Sequence, residues 1–72
     1  MKAIVLKDST FNRVQTRMRY DGSFVVFSSL PSRVSHDLGF TYLYFEDFSD
    51  LCHASDYLYA YNAVCRVADI SL

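Results

Sequence analysis

The chain has 72 residues, of which 51% are hydrophobic and 17% aromatic, with two Gly, one Pro and a net charge of −1. That length is expected to make a single domain, residues 1–72, and so little Gly and Pro excludes a low-complexity or disordered chain. No run is long enough to span a bilayer, and MKAIVLK is too short for the apolar core of a signal peptide, so a cytoplasmic protein without membrane contact is expected.

In chain order, Lys2–Lys7 reads as a strand that is apolar on both faces, which suits an interior position in a sheet. A second strand is expected near 12–20, and within it residues 13–20 alternate strictly. Val14, Thr16, Met18 and Tyr20 fall on one side; Arg13, Gln15, Arg17 and Arg19 fall on the other, the period of a half-buried strand. Asp21-Gly22 follows, and then SFVVFSS. An Asp-Gly pair between two strand-like runs predicts a hairpin, because both central positions of a type I′ turn need positive φ. With a two-residue loop, Arg19 pairs with Phe24 and Arg17 with Val26 on the outer face. With a three-residue loop, Val25 comes beside Arg17 and Phe27 beside Gln15. Either register leaves an apolar residue among arginines.

Pro31 ends that strand because it has no N–H for the ladder. Residues 32–38 are expected to form a short helical turn closed by Gly39, and Phe40–Phe45 resumes strand character. A helix is predicted over 47–61. Phe48, Leu51, Cys52, Ser55, Leu58 and Tyr59 recur at helical spacing and form its apolar face. Asp47 serves as N-cap, Asp50 suits the positive end, and Asn62 is the stop. Residues 63–70 either extend the helix or form a strand. The strand is preferred because the residues alternate and include β-branched valines. The fold class is α+β: a small, mostly antiparallel sheet of four or five strands packed on one face by a single helix, with a right-handed crossover wherever that helix joins strands of one sheet.

Charge is unevenly distributed along the chain. Lys2, Lys7, Arg13, Arg17, Arg19 and Arg33 stand against Asp8 and Asp21 in residues 1–33, a net of +4. Arg66 stands against Asp37, Glu46, Asp47, Asp50, Asp56 and Asp69 in the remainder, a net of −5. Such a dipole can steer a charged partner or drive self-association.

Catalysis has no constellation to rest on, so the chain is read as a non-enzyme. Ser35-His36-Asp37 and Cys52-His53 bring together triad residue types, but sequence neighbours cannot face one another in that geometry. Cys52, Cys65, His36 and His53 lack zinc spacing, two glycines build no phosphate loop, and no cofactor or metal is implied. The two cysteines are expected to be reduced packing residues, with a 52–65 disulfide as the alternative.

Two candidate contact surfaces remain. One is the arginine row, Arg13, Arg17 and Arg19 with Phe24 and Val26. Guanidinium groups make bidentate contacts with carboxylate or phosphate and stack on rings. The other is the acidic, tyrosine-bearing helix, Asp50, Asp56, Tyr57 and Tyr61, where rigid rings with polar tips suit an interface. By size and make-up the chain resembles small phage and mobile-element proteins that block a host machine, anti-CRISPR proteins among them. That likeness implies an inhibitor occupying a surface of a larger protein or protein–nucleic-acid complex. A homodimer pairing basic and acidic surfaces is a further option. The second functional reading is a nucleic-acid-binding regulator using an arginine-lined sheet face.

Overall fold

The computed structural model describes residues 1–70. Four strands and three helices follow in the order β1 (Lys2–Lys7), α1 (Asp8–Asp21), α2 (Phe24–Ser28), β2 (Arg33–Asp37), β3 (Phe40–Phe45), α3 (Phe48–Ala60) and β4 (Arg66–Asp69). The strands form one antiparallel sheet in the order β2-β3-β1-β4. Each long helix therefore links two strands that have a third lying between them, which makes two interleaved split βαβ units. The chain is α+β as expected, with four strands among the described residues.

β1 pairs with β3 on one side and β4 on the other, so its four central residues, Ala3 to Leu6, are all buried. Alternation sends Ile4 and Leu6 into the core with Leu43 and Phe45. Phe11, Val14 and Met18 of α1, Phe27 of α2, and Leu51, Ala54 and Leu58 of α3 close that core from one side. The single covering helix of the sequence reading is thus corrected to three.

The reading of residues 12–20 as a strand is overturned. Phe11, Val14 and Met18 are the buried positions, at i, i+3 and i+7, while Thr16 and Tyr20 face solvent. Arg, Gln and Met have straight side chains that lose little freedom in a helix, so propensity and the i+3/i+7 spacing win over a coincidental alternation. Gly22, at φ 81°, ends α1: Ser23 N–H donates to Met18 O at 2.9 Å and Gly22 N–H to Arg19 O at 3.4 Å. That is a Schellman stop, in which glycine takes the left-handed position without a Cβ penalty. The Asp21-Gly22 hairpin therefore does not exist.

The strand expected over 23–29 is also overturned. Phe24–Ser28 is a short helix that inserts Phe27 into the core and leaves Val25 and Val26 exposed. Burial of one ring outweighs the weak β preference of two valines. Residues 33–37, expected as a helical turn, are strand β2. The hairpin lies one element later: Leu38 (φ 51°) and Gly39 (φ 83°) join β2 to β3, with Asp37 opposite Phe40. Both φ values are positive, as a type I′ turn requires.

The α3 prediction holds at both ends. Asp47 accepts the Ser49 N–H at 2.7 Å. Asn62, at φ 57°, takes the left-handed position of a second Schellman stop, with Ala63 N–H on Leu58 O at 2.9 Å and Asn62 N–H on Tyr59 O at 3.0 Å. Its apolar face needs adjustment: Ala54 is buried, whereas Phe48 and Tyr59 are exposed. Residues 66–69 form β4, so the chain after α3 returns as a strand.

Candidate functional site

The arginine row and the acidic helix, distant in sequence, meet in the helical layer. Arg13, Arg17 and Arg19 lie on α1, Phe24 and Val26 on α2, and Asp50, Asp56 and Tyr57 on α3, with Tyr61 at its end. No sheet face carries the first five, which corrects the expected outer face of a hairpin. Two recesses divide most of these side chains, and Tyr57 lines both.

The cleft between α1 and α3 holds about 550 Å³ and is lined by Arg13, Arg17, Asp21, Tyr57, Tyr61 and Asn62, together with Ala60. Its polar groups are engaged with one another. The Arg13 guanidinium donates to Tyr61 O at 3.1 Å and Asn62 O at 3.3 Å. These carbonyls, of the α3 cap residue and the one after it, lie at the helix's negative end, where a cation is favoured. The Tyr61 hydroxyl donates to Asp21 Oδ2 at 2.8 Å and lies 3.0 Å from Ser23 Oγ. Arg17 Nε is 3.8 Å from the same carboxylate oxygen. Arg19 is directed elsewhere, with its guanidinium 4.5 Å above the Phe24 ring. The cleft therefore works as a latch between the ends of α1 and α3, and four of the expected binding residues (Arg13, Arg17, Arg19 and Tyr61) have internal partners.

The groove between α2 and α3 differs. It holds about 470 Å³ and is lined by Val26, Leu30, His53, Asp56, Tyr57 and Ala60. Tyr57 meets Phe27 edge to face, with ring centroids 6.0 Å apart, so its ring is held by the core below. Val26 is 52% exposed and Asp56 is exposed, with no ion pair to Asp56 among the described residues. The lining offers an apolar floor with one carboxylate and one imidazole at its rim. Asp50, half-buried in the first turn of α3, does not line it.

A second polar cluster ties α1 to the β2–β3 hairpin. Asp8 Oδ1 accepts from Thr41 Oγ1 at 2.7 Å, and His36 Nδ1 lies 3.1 Å from each of those atoms. These bonds, Thr41 first and His36 second, hold the Asp8 carboxyl below the usual carboxylate range. Thr41 donates to the carboxylate rather than to the imidazole, an arrangement that does not activate its hydroxyl for attack. Both cysteines are free and half-buried, and burial pushes the Cys65 thiol up, away from the reactive thiolate. Among the described residues, no three His, Cys, Asp or Glu side chains are grouped to hold a metal.

The sequence reading placed Arg13, Arg17 and Arg19 on the helix-free side of the sheet, but these lie on α1 and other residues occupy that face. Cross-strand partners share a face, so β2, β3, β1 and β4 lay Arg33, Tyr44, Ala3 and Ala68 in one row. Ser35, Tyr42, Val5 and Arg66 form the next row, and Asp37, Phe40 and Lys7 the third. The Tyr42 and Tyr44 rings stack at 6.3 Å, and the Arg33 guanidinium lies 4.5 Å over Tyr44. The signal was present in FTYLYF, whose tyrosines alternate with core residues. It needed the strand order to show that Arg33 and Arg66 flank them. No helix among the described residues is long and apolar enough to cross a membrane. Comparison with known protein families, curated proteins and solved structures finds no match to the chain.

Proposed function

We propose that the chain is a non-enzymatic binding module that acts by seating the α2–α3 groove on a larger protein. The groove supports this reading because Val26, Leu30 and Tyr57 form an uncovered apolar floor while neighbouring polar groups are engaged within the molecule. Burying one valine side chain contributes about 1.5–3 kcal/mol, so the groove serves as an anchor pocket rather than a whole interface. A standard interface buries about 800 Å² on each partner. Against a total accessible surface of 4730 Å², that is about one-sixth of the molecule, enough to include exposed Val25 and the His53–Asp56 rim. Asp56 at the rim, with no ion pair among the described residues, favours a partner segment that flanks an apolar side chain with lysine or arginine.

Phage and mobile-element inhibitors of host machines, anti-CRISPR proteins among them, are the class that size and make-up suggest for such a module. A cytoplasmic setting, in which both thiols stay reduced, accords with two free cysteines. The test is affinity capture from host lysate with the wild type, Val26→Asp and, as a control on the exposed side of α1, Tyr20→Asp. A protein retained by the wild type and Tyr20→Asp but lost with Val26→Asp supports the reading. Equal capture by all three removes the groove from consideration.

A further inference from the structure

We propose that the helix-free face of the sheet binds single-stranded RNA, independently of the α2–α3 groove. Folding separates charge in a way that the linear sequence hides. Lys7, Arg33 and Arg66 on this face stand against Asp37 alone, whereas the rest of the molecule holds four cations against seven carboxylates. A chain of net charge −1 thus carries a net-positive face on the sheet, and none of its three cations has an ion-pair partner among the described residues. Charge complementarity favours a polyanion there.

The aromatic groups narrow the class of polyanion. Tyr42 is half-buried and Phe40 is 39% exposed, so each offers part of a ring to a ligand. Tyr44 is only 9% exposed and instead backs the Arg33 guanidinium, whose plane becomes a stacking surface in its own right. Between them, Ala3 and Val5 are buried and Ala68 is half-buried, so contact with a base falls to Tyr42, Phe40 and the Arg33 guanidinium. Unstacked bases pack on aromatic rings and guanidinium planes, and duplexes hide those faces, so a single strand fits and a duplex does not. Arg66 on β4 and Arg33 on β2 then sit at opposite edges, where the phosphates of a strand crossing the sheet pass. Asp37 and Ser35 add acceptors on the β2 side, which suits a ligand carrying a hydroxyl donor. The 2′-OH is the donor that distinguishes RNA from DNA.

The experiment is fluorescence anisotropy with a short, labelled, random-sequence RNA at low salt, with DNA of the same design as comparison. Wild-type binding should weaken with salt at a log–log slope of about −2, for three cations on a single strand. Arg66→Glu on the edge strand should lose tenfold or more, and Tyr42→Ala about tenfold or more, while Tyr42→Phe retains affinity. Val26→Asp, which disables the groove, should bind RNA as the wild type does, so failure on one face is separable from failure on the other. Circular dichroism checks that each variant is folded. Should Tyr42→Ala unfold, Arg66→Glu alone decides. Absence of wild-type binding, full binding by folded Arg66→Glu, or DNA binding as tight as RNA overturns the proposal.

Discussion

Leu58→Ala probes how the helical layer is held to the sheet. Leu58 is fully buried on α3 and belongs to the cluster containing Ile4, Met18 and Leu43. Its carbonyl also receives the bond that stops the helix, from Ala63 N–H at 2.9 Å. Alanine preserves that backbone bond and the helix propensity, so the cost is almost wholly that of lost packing. A buried leucine truncated to alanine loses about 2–5 kcal/mol, the range depending on how far the site collapses. Here the site is sandwiched between sheet and helices, which limits collapse and favours about 3 kcal/mol or more. For a chain of this length the total stability is on the order of 4–11 kcal/mol, so the variant loses a large fraction of it. At about 4–8 °C per kcal/mol, Tm should fall by about 12–24 °C. Tyr59→Ala, next to it on the helix and 85% exposed, should change stability by about 0.5 kcal/mol or less. Thermal and urea unfolding followed by circular dichroism measure both. Equal costs for Leu58→Ala and Tyr59→Ala would refute the helix orientation derived above.

Other perturbations address the latch, the hairpin and the acid-sensitive cluster. Arg13→Ala should cost about 0.5–1.5 kcal/mol in urea unfolding, because the carbonyls of Tyr61 and Asn62, just past α3, lose their donor. Leu38→Asn should stabilise by about 0.5–1 kcal/mol: Leu38 is 90% exposed and sits at positive φ, where asparagine is better tolerated. A lower Tm would mean that Leu38 makes a contact that outweighs its backbone strain. Hydrogen bonds from Thr41 and His36 hold the Asp8 carboxyl below its ordinary value of 3.8 in the folded state, so its contribution is complete above that value and disappears as pH falls through the lowered one. Asp8→Asn should therefore lose stability at neutral pH and show a shallower decline in Tm on acidification below about pH 4 than the wild type.

The sequence disclosed the parts whose period admits one interpretation. β1 was legible because four consecutive apolar residues suit only an interior strand or a buried helix, and six residues are too few for the latter. α3 was legible because its N-cap, spacing and asparagine stop agreed. α1 was not, since Val14 and Met18 satisfy both a period-2 series and a helical face, and the deciding residue, Phe11, lies outside the alternating run. Gly22 and Gly39 show the same ambiguity in miniature: each has positive φ, yet one ends a helix and the other turns a hairpin. Assigning them the opposite way exchanged the positions of helix and strand between residues 12 and 37. The candidate site suffered accordingly. Asp56, Tyr57 and Val26 do line one groove, but Arg13 and Tyr61 prove to be bonded to each other's elements. The stacked Tyr42–Tyr44 pair becomes significant only when strand order sets Arg33 and Arg66 beside it.

Every surface assigned above depends on residues 8–28 being two helices that cover one side of the sheet and leave the other without a helix. An isotope-edited NOE spectrum of the folded protein tests this most directly. The account predicts successive amide–amide NOEs through Asp8–Asp21, cross-strand contacts between Val5 and Tyr42, and contacts from Met18 to the sheet's core side. Cross-strand NOEs between Arg19 and Phe24 backbones, with none between successive amides of Asp8–Asp21, would contradict it.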